Sequence, residues 1–265
     1  MESYPLQGTS LLVELSEGVA TVTLNRPESH NALSRELRNN LAAAFEALQD
    51  DDDVKVIILT GSGTKSFCVG LDLKEFEHDP LRPEEMGPDS RMMRAFARLQ
   101  KPVIGAINGY AVTGGFELTC NCDIIVGSTH AKFGDTHVRV GVLPGWGISQ
   151  NLPRIIGPVR ARYLCFTGNY LDAATAKEWG LLLEVVEPSN LLPYCRKIAL
   201  DIASADQSTL RHYREIMRTG WLSTATEGIA LEGELGRAEL GRVDVANFSA
   251  TRTQVMGRGK SQTGA

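Results

Sequence analysis

The feature that most constrains this chain is an alternation in its first half. Short apolar, β-branched runs each lead through a turn into a stretch of helical spacing. Residues 54–60 form one such run and end at Gly61-Ser62-Gly63. Residues 103–107 form another, which passes through Asn108-Gly109 and Gly114-Gly115 into a helix over 115–120 and a further strand over 123–127. Runs that are apolar throughout, rather than at every second residue, mark strands buried on both faces. Strand then helix, repeated, predicts an α/β layered core. Upstream, residues 10–15 and 19–24 flank Ser16-Glu17-Gly18 as a β-hairpin. Residues 34–50 place Leu37, Leu41, Ala44, Phe45 and Leu48 on one helical face. A short helix is expected over 71–77, a mobile surface loop over the proline-rich stretch 78–90, and a helix over 91–100 stopped by Lys101-Pro102.

Beyond Pro144 helices dominate, at 158–166, 172–179 and 189–204, with one short strand at 182–186. From Gln207 to about Val245 the spacing is helical and amphipathic, and 257–265 reads as a frayed tail. The chain therefore divides into a core over 1–200 and a C-terminal helical region over 201–265. Its 265 residues suffice to bury a full core. A net charge of −5 argues against nucleic acid or an anionic membrane as the main partner. Residues 1–5 carry no basic segment leading into an apolar one, so no signal peptide is expected. No apolar run approaches the roughly 18 residues of a membrane span. Cys68, Cys120, Cys122, Cys165 and Cys195 are odd in number and scattered, which suits reduced thiols and a cytoplasmic location. Cys120-Asn121-Cys122 has no partner cluster of Cys and His, so buried thiols are expected there and no metal.

The chemistry is concentrated at two turns. Phe67-Cys68-Val69-Gly70-Leu71-Asp72 and Asn108-Gly109-Tyr110-Ala111-Val112-Thr113-Gly114-Gly115-Phe116-Glu117-Leu118 each run from strand-like residues through glycine into helix-like ones. Such turns leave backbone N–H groups unpaired at a helix start. Two aimed at one point would hold a developing oxyanion, with Glu117 beside it, and that combination points to a carbonyl substrate. Other motifs fail in detail. Thr64 stands where a phosphate-binding loop needs Gly before Lys65. Residues 147–151 lack the second Gly of a nucleophile elbow, and residues 109–114 lack dinucleotide-binding spacing.

Taken in order, Asn25-Arg26-Pro27 with Asn31-Ala32-Leu33, Gly70-Leu71-Asp72, Lys101-Pro102-Val103-Ile104, Asn108-Gly109-Tyr110-Ala111, Gly114-Gly115-Phe116-Glu117-Leu118 and Gly141-Val142-Leu143-Pro144-Gly145 resemble the enoyl-CoA hydratase/isomerase (crotonase) superfamily. The resemblance runs from about residue 10 to the C-terminal helices. It implies an α/β fold with a crotonase-like ββα spiral core, two near-perpendicular sheets, and a C-terminal helical module for trimers or paired trimers. It also implies an acyl-CoA thioester as substrate, with coenzyme A part of that substrate and no separate cofactor. Carried over by position, the backbone N–H groups of Leu71 and Gly114 form the oxyanion hole. Gly70, Asp72, Leu73 and Lys74 lie along the CoA arm, and Arg26 and His30 belong to a loop at its adenine end. Glu117 matches the glutamate that positions the attacking water.

The chain departs from the family at two places. Hydratases carry a second glutamate twenty residues after the first, in a Phe-Gly-x-x-Glu context, and here Phe133-Gly134-Asp135-Thr136 leads to His137. Imidazole is a competent acid/base group, so His137 is either the second catalytic group or a spacer in the pocket. Asp135 could orient it, although residues two apart point opposite ways along an extended chain. Trp146 stands where the family has a small residue, either lining the acyl end of the pocket or filling the core or an interface. The expected activity is an enoyl-CoA hydratase-like lyase reaction. The alternatives are an isomerase or an acyl-CoA hydrolase on the same fold, or a non-catalytic acyl-CoA binder.

Overall fold

A computed structural model describes residues 2–3, 10–242 and 248–263. The chain separates into two units, Met1–Gln207 and Ser208–Ala265. The first opens with strands β1 (Glu2–Ser3), β2 (Leu11–Ser16) and β3 (Val19–Leu24), then helix α1 (Arg35–Asp50). Three turns of strand, strand and helix follow. They are β4 (Val56–Gly61), β5 (Ser66–Cys68) and α2 (Leu73–His78); then, after α3 (Arg91–Arg98), β6 (Val103–Ile107), β7 (Tyr110–Val112) and α4 (Gly114–Cys120); then β8 (Ile124–Ser128), β9 (Lys132–Gly134) and α5 (His137–Val140). Helices α6 (Ile148–Ile156) and α7 (Pro158–Thr167), strand β10 (Tyr170–Asp172), helix α8 (Ala173–Glu178), strand β11 (Glu184–Val186) and helix α9 (Leu191–Ala203) complete the unit.

One sheet runs in the order β1-β2-β3-β4-β6-β8-β11, the other β10-β9-β7-β5. The first strand of each repeating pair joins the larger sheet and the second joins the smaller, so the chain winds as a ββα spiral. Both series pair in parallel within their sheets. The runs at 54–60 and 103–107 read as doubly buried, and every residue of β4 and β6 is buried; Lys55, which precedes β4, is half-buried. On one side lie Leu41, Phe45 and Leu48 of α1 with Phe96 of α3. On the other, Leu191, Cys195 and Ala199 of α9 cover Ile58, Ile104 and Val126. Full burial of a side chain such as Phe45 contributes about 1.5–3 kcal/mol.

Sequence spacing locates the long elements, and local chemistry sets their ends. Ser34 Oγ accepts from Leu37 N at 3.2 Å and starts α1. Asp72 Oδ1 accepts from Glu75 N at 3.3 Å and starts α2. Strands β5, β7, β9 and β10 have three residues each, too few for a periodic signal, and α6 contains Pro153; none was expected.

The proline-rich stretch after α2 is tied down. Glu85 accepts from Arg35 Nε at 2.7 Å and Nη2 at 2.9 Å, and from Arg38 Nη2 at 3.2 Å. Arg38 is itself buried and donates to Leu33 O. Chiefly through Arg35, this clamp pulls the Glu85 carboxyl down to about 2, so it stays ionised across the neutral range. It fastens to α1 the segment that carries Met86.

In the second unit the continuous amphipathic stretch is broken. Helices α10 (Gln207–Leu222) and α11 (Ala225–Leu240) meet at Thr224, whose Oγ1 accepts from Glu227 N while Glu227 Oε2 accepts from Thr224 N at 2.9 Å. This reciprocal cap starts a new helix. Residues 243–245 of the expected stretch lie outside the described residues. The stretch 257–265 reads as a frayed tail in the sequence, but helix α12 (Phe248–Thr263) includes 257–263; residues 264–265 lie outside the described residues. Tyr213, Met217 and Trp221 form an exposed stripe along α10. Among the described residues, no helix is long and apolar enough to cross a membrane.

Candidate active site

The spiral brings the two glycine turns together. Gly70 follows β5 and adopts φ +87°, a conformation that favours glycine. A methyl group on it would stand 2.9 Å from Gly114 N, and one on Gly114 would stand 3.3 Å from Gly70 Cα and 2.8 Å from Trp146 Cζ3. Gly114 therefore answers a need for close approach, not for a positive φ. The left-handed residue is its neighbour Thr113, at φ +54° and ψ −115°. That conformation is rare for a β-branched side chain. It is held by a 2.8 Å bond from Thr113 N to Gly134 O and a 2.7 Å hydroxyl contact with Thr136. Among the described residues, the N–H groups of Leu71 and Gly114 have no acceptor.

Both of these residues line one open-mouthed cavity, together with Leu73, Met86, Glu117, His137 and Trp146. Glu117 enters from the first turn of α4 and is almost wholly buried. Its Oε1 accepts from Trp146 N at 2.7 Å and from Ile148 N at 3.4 Å. Its Oε2 lies 3.6 Å from His137 Nε2. Burial raises the Glu117 carboxyl above the ordinary glutamate value, against the opposing pull of the Trp146 amide and the neighbouring His137.

His137 begins α5 and is also buried. Its other ring nitrogen, Nδ1, is 2.6 Å from Asp135 Oδ1. The two side chains meet because Thr136, between them, sits at φ −93° and ψ 10°. That is a turn rather than the extended backbone that would send them apart. Although burial pushes Asp135 up, its hydrogen bonds from His137 and Cys165 win and hold its carboxyl below the usual range.

Leu71, Leu73, Gly114, Glu117, His137 and Trp146 thus share the cavity. The other residues singled out from the sequence do not line it. Asp72 pairs with Arg26 at 2.9 Å, Arg26 also donates to Ala32 O, and His30 Nδ1 meets Ser66 Oγ at 2.9 Å. Gly70 lies behind the cavity, where it lets the two turns abut, and Lys74 projects from α2. Met86 is a lining residue that sequence spacing does not reveal, because the Glu85 clamp brings it in from far along the chain. Among the described residues no cluster of His, Cys, Asp or Glu could hold a metal ion.

A ββα spiral with paired backbone donors beside a buried carboxylate defines a crotonase-fold protein. The chain matches the Enoyl-CoA hydratase/isomerase family over residues 14–242, and it belongs to that family. It is 38% identical to the probable peroxisomal enoyl-CoA hydratase 1 of Arabidopsis thaliana, over 93% of this chain and 92% of that one. It is 42% identical to the (E)-benzylidenesuccinyl-CoA hydratase of Thauera aromatica, over 73% of this chain and 76% of that one. The crystal structure of an enoyl-CoA hydratase from Mycobacterium tuberculosis H37Rv superposes with a TM-score of 0.74 at 43% identity, covering 84% of this chain and 95% of that one.

Proposed function

We propose that this protein is an enoyl-CoA hydratase-like lyase that adds water across the α,β double bond of an acyl-CoA thioester. The observation that carries this reading is the placement of Glu117 Oε2 and His137 Nε2, 3.6 Å apart, in the cavity that Leu71 and Gly114 also line. That separation exceeds a good direct hydrogen bond and lets one water touch both groups. With the thioester oxygen held by the Leu71 and Gly114 N–H groups, the water oxygen bonds to Cβ and Glu117 takes a proton from it. The double-bond electrons pass through Cα to the thioester oxygen as an enolate, and the two amides stabilise that charge. Protonated His137 delivers its Nε2 proton to Cα, and proton exchange with Glu117 restores both groups. An isomerase needs only one such group, and the presence of two on one cavity favours hydration.

The remaining assignments follow from the family resemblance and placement. Leu73 and Trp146 border the acyl and pantetheine path. Gly70, Asp72 and Lys74 flank the CoA arm, and Arg26 and His30 stand at its adenine end. Coenzyme A enters as part of the substrate and no further cofactor is required. The core over 1–200 carries the chemistry. The helical region over 201–265 is assigned to assembly as a trimer or pair of trimers, supported by the exposed stripe of Tyr213, Met217 and Trp221. Light scattering at micromolar concentration is expected to return a trimer or hexamer mass; a monomer contradicts the assignment. Free cysteines at all five positions support a reducing, cytoplasmic setting.

The direct test follows the loss of the conjugated thioester of a four-carbon enoyl-CoA with time and pH. Because Glu117 must be ionised to take the proton of water, kcat/KM should fall as pH drops through its raised pKa. The acid limb is therefore expected above the ordinary glutamate value. A rate that persists undiminished below that value contradicts the role of Glu117.

A further inference from the structure

We infer that Asp135 is a positioning residue for the reaction, acting through His137. The inference rests on the hydratase reading and adds a third member to its acid/base pair. Asp135 Oδ1 stands 2.6 Å from His137 Nδ1, and the opposite ring nitrogen faces Glu117 Oε2 at 3.6 Å. The three side chains form a line, Asp135–His137–Glu117, and all three are buried. A carboxylate can only accept, so it fixes the hydrogen on Nδ1. Nε2 is then the nitrogen left for exchange with substrate. When His137 carries its second proton, the imidazolium lies between the Asp135 and Glu117 carboxylates.

Asp135 is itself held. Its backbone neighbour Thr136 turns the chain so that the carboxylate and the imidazole face each other, and Thr136 Oγ1 is anchored by Thr113. The Cys165 thiol, from α7, bonds the Asp135 carboxylate, and burial together with that bond pushes the thiol up to about 12. Cys165 therefore remains a neutral donor and contributes no competing charge. The charged or titratable neighbours are thus Glu117 and Cys120 from α4, His137 from α5 and Cys165 from α7. Burial raises the Cys120 thiol too, which leaves Glu117 and Asp135 as the two carboxylates around the ring. Where the family resemblance implies a second glutamate, this chain has an imidazole with a carboxylate 2.6 Å from its Nδ1.

The substitution Asp135→Asn preserves shape but removes the charge, and its amide can donate to Nδ1 and drive the hydrogen to Nε2. With the four-carbon enoyl-CoA, kcat is expected to fall on the order of 10²-fold while KM stays within about twofold. In the His137→Gln background the same substitution should change kcat by less than about twofold, because Asp135 acts only through the ring. The ¹⁵N spectrum of histidine-labelled protein supplies a readout independent of turnover. With the ring neutral, the resonance that disappears in His137→Gln should report the hydrogen on Nδ1 in the wild type and on Nε2 in Asp135→Asn. Wild-type kcat in Asp135→Asn, an undiminished loss in the His137→Gln background, or an Nε2–H tautomer in the wild type overturns the inference. Glu117→Gln measured alongside separates the two levels. Turnover lost there but kept in Asp135→Asn removes only the role of Asp135, whereas turnover kept in both removes the hydratase reading beneath it.

Discussion

Glu117→Gln should fold, bind the CoA thioester with nearly unchanged affinity, and lose hydration by on the order of 10²–10⁴-fold, the usual worth of a positioned acid/base group. The amide retains an oxygen in place of Oε1, so it can still accept from Trp146 N at 2.7 Å and Ile148 N at 3.4 Å. It also removes a buried carboxylate whose ionised form burial already disfavours, so stability should not suffer. What it cannot do is take a proton from water. Stopped-flow or steady-state hydration, paired with calorimetric binding of a saturated acyl-CoA, separates the two effects. Weak binding together with lost turnover would place Glu117 in substrate recognition instead.

Gly114→Val should lower turnover by on the order of 10²–10³, the loss typical of one oxyanion donor. The first added carbon would stand 2.8 Å from Trp146 Cζ3 and 3.3 Å from Gly70 Cα. Either the indole moves into the cavity or the 113–115 turn withdraws its N–H from the thioester oxygen. Gly114→Ala adds only the first carbon and should show a smaller loss of the same kind. Circular dichroism and Tm separate a misplaced donor from a disrupted core. A folded Gly114→Val protein with wild-type kcat removes Gly114 from the oxyanion hole.

These effects centre on residues legible in the sequence to different depths. The strands of the larger sheet could be read because β4 and β6 are buried on both faces, which leaves an apolar run no surface helix would carry. The smaller sheet escaped because its three-residue strands are held by pairing partners distant in sequence. Glu117 could be read from the glycines before it. The partnership of Asp135 and His137 stayed open, since an i, i+2 pair faces one way only if the residue between leaves the extended region, as Thr136 does. The loop after α2 reads as mobile from its prolines. Its clamp depends on Arg35 and Arg38, some fifty positions before Glu85, and no local pattern links them. The break at Thr224 was available in principle, as Thr224 followed three residues later by Glu227 is a capping-box spacing; the unbroken helical periodicity on either side masks it.

The most direct test of hydration at this cavity is a turnover in H₂¹⁸O with the four-carbon enoyl-CoA, analysed by mass spectrometry of intact thioester and free acid. Water added to Cβ by Glu117 and His137 places ¹⁸O on the hydroxyl of a 3-hydroxyacyl-CoA, with the thioester intact. Label in the carboxylate of a released acid would make the protein a thioester hydrolase. A shifted double bond without label would make it an isomerase, and either result contradicts hydration by Glu117 and His137.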